Sequence, residues 1–234
     1  MDYMWQEFNI KTFPAETIVF RDGVFMPDLS SISEIKNQKL GFININKAYD
    51  LPVHIIYIGK IDDLNNLEIN INIPNHQVFL TVKTENKMPA FLNIFVKNTG
   101  KNSVLQGNIL IQNYSEFGLD ITGTHQAVDT GILVKTKIVA HSASETRLTG
   151  QAIIEHGCEN CESDIGFSVL AAPDAKIKLS PRQLISAIPK SAEHSASIYR
   201  GTAPQIEYLR TTGLSGEEVK SVLRETFISD LQVF

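Results

Sequence analysis

Cysteine is nearly absent: Cys158 and Cys161 are the only two in 234 residues. That excludes a small scaffold held by disulfides and makes the cytoplasm the expected compartment. Tryptophan occurs once, as Trp5, and nothing marks an aromatic groove for stacking sugars. No run approaches the ~18 uncharged apolar residues of a membrane span. Residues 1–20 lack an apolar stretch behind a basic start, so no secretory signal is expected. Positive charge is not in excess: 21 Lys and Arg face 26 Asp and Glu, for a net charge of −5. Neither nucleic acid nor an anionic membrane is therefore an expected partner. There is no glycine-rich phosphate loop followed by Lys-Ser/Thr and no Gly-x-Ser-x-Gly elbow. Carboxylates such as Asp62, Asp63, Asp120, Asp129 and Asp164 are scattered. An enzyme is not expected.

What the chain does contain is period two. Leu67-Glu68-Ile69-Asn70-Ile71-Asn72-Ile73 alternates as a strand with one buried face should. Further strands are predicted at Val78–Val82, Ala90–Val96, Val104–Ile111, Leu119–Thr122, Ile132–Ala140, Gln151–Ile154, Gly166–Leu170 and Lys176–Leu179. Asn, Gly, Ser and Asp punctuate the gaps. Starts recur roughly every 10–15 residues, a spacing that suits either a sandwich or a β-solenoid. Asp22-Gly23 is the one Asn-Gly or Asp-Gly hairpin signal. Asn70, Asn72, Asn93, Gln112 and Thr136 lie among the strands, as side-chain ladders between stacked coils would require.

The end of the chain differs in kind. Ile206 and Leu209 share a helical face with Tyr208 beside them, Pro204 suits a first helical turn, and Gly213 suits a stop. Ser215 with Glu218 spells a capping box, and Val219, Val222, Leu223, Phe227 and Leu231 recur at three and four. Two such short helices must pack on the β region, on a partner, or on both. The division expected is an N-terminal strand segment at 1–59, a β core at 60–200 and a helical subdomain at 201–234.

Several of these pieces, in this order, resemble the SufB/SufD family, the scaffold subunits of the SUF iron–sulfur assembly machinery. They are the opening hairpin at Thr17–Leu29, the strand Pro52–Gly59, the run His125–Ile154, Pro181 followed by His194-Ser195-Ala196-Ser197, and the stretch from Ile206 through Gly213 to Phe227. The likeness runs nearly end to end on a chain about half the usual family length. It implies a right-handed parallel β-helix followed by a small C-terminal α-helical subdomain, an all-β core that can lose internal coils because each contacts only its neighbours. It also implies a SufC-type ABC ATPase partner engaged by the helices (Ile206, Tyr208, Leu209, Val219, Val222, Leu223, Phe227). Pairing with a SufB-like subunit or with itself, by edge strands of the last coils, is implied too.

The cluster-site candidates follow from the same resemblance. His194 matches the late histidine of both subunit types, while Ser195 stands where SufB has Glu and SufD has Gly. The SufB assembly cysteine falls on Gly166, which points to the SufD-like kind. Thr212 and Thr226 replace the family's Arg and Gly near the helix ends. A separate local candidate is His156-Gly157-Cys158-Glu159-Asn160-Cys161, whose thiols and imidazole suit iron, zinc or a cluster, with His141, Glu162, His194 or another chain supplying a further ligand. Two free thiols in a coil turn is its plain alternative, and structural roles are expected for His54, His76 and His125. The expected cofactor is a transiently held iron–sulfur cluster or iron, otherwise none. The rival functions are a divergent β-solenoid scaffold without cluster assembly and a carbohydrate-binding β-helix.

Overall fold

The computed structural model describes residues 16–22, 24–31, 43–44, 51–60, 66–229 and 231; Trp5, Asp62 and Asp63 lie outside them. The strands are β1 (Glu16–Arg21), β2 (Val24–Phe25), β3 (Ile43–Asn44), β4 (Val53–Lys60), β5 (Asn66–Ile73), β6 (Gln77–Asn86), β7 (Ala90–Asn98), β8 (Val104–Asn113), β9 (Glu116–His125), β10 (Gly131–Ala140), β11 (Glu145–Ile154), β12 (Glu162–Ala171), β13 (Lys176–Ile185) and β14 (Ser191–Tyr199). Helices α1 (Ala203–Thr211) and α2 (Gly216–Ile228) follow.

The chain is a parallel β-solenoid. Successive strands alternate between two sheets, ordered β14-β12-β10-β8-β6-β4-β1-β2 and β13-β11-β9-β7-β5-β3. Every pairing is parallel except the β1–β2 hairpin at Asp22. Alternation explains the choice of face. In one sheet Ile55, Leu80, Gly107, Val134 and Ile165 stack in register across five coils. In the other, Leu92, Leu119, Leu148 and Leu179 do the same. These inward rows meet between the sheets as one apolar core. Gly150 lies in an inward row because the Phe167 ring occupies the place of its side chain, 2.7 Å from a Cβ there. β1, β2 and β4 belong to the same sheet as β6, so the segment expected before the core supplies three of its strands.

Polar ladders stand at the corners. Asn86 Nδ2 donates to Asn113 Oδ1 at 2.9 Å, and Asn113 Nδ2 donates to the Glu145 carbonyl and Thr146 Oγ1 of the next coil, both at 2.9 Å. At the opposite corner Asn98 donates to the Ser103 and Gly131 carbonyls. Each of these asparagines is fully buried. The buried amides satisfy carbonyls that turn out of the strand ladders.

Both helices carry complete capping boxes, Thr202 with Gln205 and Ser215 with Glu218. The second was legible from sequence; the first was not, because a Thr two residues before Pro204 carries little signal alone. Gly213, at φ 94°, ends the intervening turn in the left-handed region, where glycine is favoured.

Candidate functional site

The sequence candidates gather at the C-terminal end of the solenoid. β13 and β14 are the last strands of their sheets, each paired on one side only among the described residues. Leu184, Ile185, Ile188, Ile198 and Tyr199 are exposed there, Ile188 at 80%. His194 lies on β14 opposite Ile165, in the inward row, and is exposed at this open end. Ser195 lies opposite Gly166. A Cβ at Gly166 would come 2.7 Å from Ser195 Oγ. The two positions that distinguish the subunit types under the resemblance are therefore direct cross-strand neighbours on the outer face.

The cysteines occupy the turn between β11 and β12. Both are free and buried, packed with Ile154, Ala187 and Ala192. Burial pushes the Cys158 thiol up, and Cys161, Glu155 and Glu159 add to the shift. Cys161 Sγ lies 3.2 Å from Thr130 Oγ1 and donates to the Ala127 carbonyl at 3.3 Å. Thr130 Oγ1 in turn meets His125 Nδ1 at 2.7 Å. This buried Cys161–Thr130–His125 chain was not foreseen; for His125 only a structural role was expected. His156 is exposed beside the turn. Among the described residues no three His, Cys, Asp or Glu side chains form a group that could hold a metal ion. His194, opposite Ile165, is four residues along the strand from Cys161, about 13 Å at strand rise. The turn as folded thus fits a pair of packed thiols and does not fit a closed cluster site.

The helices fold back onto the solenoid. Val219 is buried. The Phe227 ring packs 5.7 Å from Tyr199, Lys137 Nζ sits 4.8 Å over it, and the same ammonium donates to the Phe227 carbonyl. Gly201 leaves room for Leu223 and Ile206, which lie 3.1 and 3.4 Å from where its Cβ would stand. Of the seven residues expected to meet a partner, Ile206, Val219, Leu223 and Phe227 therefore face the chain itself. Val222 and Leu209 are half-buried, and Tyr208 is 70% exposed. No described helix is long and apolar enough to cross a membrane. No protein-family model and no curated protein matches this chain.

Proposed function

We propose that this chain is a SufD-like, non-enzymatic subunit of an iron–sulfur assembly scaffold, working in the cytoplasm. The observation that carries the reading is placement. Pro181 and His194 stand on the last two strands of a parallel solenoid, and two capped helices follow directly. An iron–sulfur cluster is cargo in this reading, and His194 at the open end is the side chain available to meet it. The ATPase contact falls to α1 and the outer side of α2, centred on Tyr208, because the inner side of α2 is packed on the solenoid. Anaerobic co-purification with the SUF-type ATPase of the same host is expected to give a stable complex. Tyr208→Asp is expected to weaken it at least tenfold while leaving the circular dichroism spectrum unchanged. Equal retention of the variant, or no complex with the folded full chain, would overturn the reading.

The free edges of β13 and β14 and the apolar residues beside them support pairing with a SufB-like subunit or a second copy by strand addition. Ile188→Asp with Ile198→Asp is expected to shift a dimer to monomer in sedimentation velocity. An unchanged sedimentation coefficient would count against that edge. A second reading, a scaffold that no longer handles clusters, is favoured by Ser195 and Gly166. They place a hydroxyl and a bare backbone where the resemblance puts a carboxylate and a thiol.

A further inference from the structure

A cleft of about 750 Å³ lies between the helix pair and the C-terminal ends of β10 and β12. Its volume falls within the range of small-molecule sites, about 300–1,000 Å³. The floor is apolar, from Val139, Leu170, Ala172 and Pro173, with Ile206 and Leu223 coming down from the helices. The rim is cationic: Arg200, Lys220 and Arg224 all line it. Glu217 is the one carboxylate of the lining and is committed to Lys220 at 2.7 Å. Arg224 donates to the Ser221 hydroxyl and Arg200 to the Ala175 carbonyl, and among the described residues neither meets a carboxylate. Two guanidinium charges are thus left over an apolar floor.

From this charge pattern we infer that the cleft binds an amphipathic anion, a medium- or long-chain carboxylate whose tail lies on the floor and whose head meets Arg200 and Arg224. Guanidinium forks match carboxylate oxygens two by two, and the apolar surroundings strengthen each contact. His141 stands at the cleft wall, stacked on Tyr114 at 3.7 Å. Burial first, and Arg224 second, lower its pKa to about 4 against an opposing pull from Glu85. The occupant would touch solenoid and helices together, so it would fix the helix pair in place. This inference is independent of the assembly reading; it rests on the cleft alone.

The probe is decanoate, titrated calorimetrically into the full chain, with decanol and acetate as companions. Decanoate is expected to bind, acetate not to, and decanol at least tenfold more weakly than decanoate. Arg200→Gln with Arg224→Gln is expected to lower decanoate affinity about tenfold or more and leave decanol unchanged. Ala172→Phe, which fills the floor without altering charge, is expected to abolish binding of both. Circular dichroism melts establish that each variant is folded, and affinities are compared only among folded variants. Failure of decanoate to bind the wild type at millimolar concentration overturns the proposal, as does equal binding of decanol and decanoate.

Discussion

Between pH 7 and pH 4.5 this chain is expected to lose about 4 kcal/mol of folding stability through two histidines. His54 and His125 are buried, and burial lowers the pKa of each from 6.5 to about 4. Both are held neutral by their surroundings. His54 Nε2 meets Thr81 Oγ1 at 2.9 Å and His125 Nδ1 meets Thr130 Oγ1 at 2.7 Å. His125 Nε2 is buried with no partner among the described residues, so a second ring proton there would have nowhere to donate. The unfolded chain takes up protons below pH 6.5, while the folded chain does so only near pH 4. The stabilisation is therefore complete above pH 6.5 and is lost as the pH falls towards 4, at about 2 kcal/mol for each ring. Asp129 and Glu145, held low by bonds to Asn160 and Arg147, act in the same direction, but chiefly at more acid pH, because carboxylates titrate below this window. Denaturant unfolding at stepped pH measures the slope, and His54→Gln with His125→Gln should flatten it. Parallel pH curves for wild type and the double variant would sink the assignment.

The same histidines show how far the sequence could be read. Period two located strands from β5 to β13, and most of their inward rows are the residues that alternation singles out; β14 was not among the strands predicted from periodicity, and β4 is buried on both faces. Pairing was not legible in that way. Alternation says which face is buried, but not that β6 lies on β4 and β8 with β5 and β7 passing to the other sheet. A sandwich would use the same pattern; the scarcity of hairpin signals and the Asn, Gln and Thr among the strands leaned towards stacked coils, and the family resemblance tipped the choice. A signal was present in the corner residues. Asn86 and Asn113, like Asn98 and His125, stand one coil apart in register at the ends of their strands. The expected ladder residues fared differently. Asn72 accepts from Thr99, Gln112 meets Tyr114 and His141, Asn70 bonds Glu68 at the surface, and the Thr136 hydroxyl is buried without a partner among the described residues.

At the candidate site, local patterns were legible and their surroundings were not. The repeat of Val219, Leu223 and Phe227 identifies an apolar helix face, but nothing in it distinguishes a partner from the chain's own β10 and β14 as the covering surface. Cys158 and Cys161 likewise spell a chelating turn by spacing, yet the fold closes Ile154, Ala187 and Ala192 over the sulfurs. Spacing fixes which donors are near in sequence; what packs over them is set by residues from other coils.

Asn113→Ala is expected to destabilise the fold by about 3–4 kcal/mol, more than most single substitutions. The side chain is fully buried and spans three coils. It accepts from Asn86 Nδ2 and from the Ser115 N–H, and donates to the Glu145 carbonyl and Thr146 Oγ1. Truncation strands several buried polar groups at once, each worth about 1–3 kcal/mol when unmet. It does so at the joint between neighbouring coils, where a solenoid's stability resides. The loss should be shared with its ladder neighbour. Asn86 retains only a longer bond to the Glu116 carbonyl, at 3.3 Å, once Asn113 is gone. In a double-mutant cycle, Asn86→Ala and Asn113→Ala together should therefore cost at least 1 kcal/mol less than the sum of the single losses. Asn113→Asp keeps the acceptor oxygen and, while protonated, one donor, so it should fall between wild type and Ala where the new carboxyl is protonated; ionised, it forfeits both donor roles and should fall below Ala. An Asn113→Ala variant within 1 kcal/mol of wild type, or strict additivity in the cycle, would show that the corner amides do not couple the coils. The backbone ladders and the apolar rows between the sheets would then tie one coil to the next without help from the corner amides.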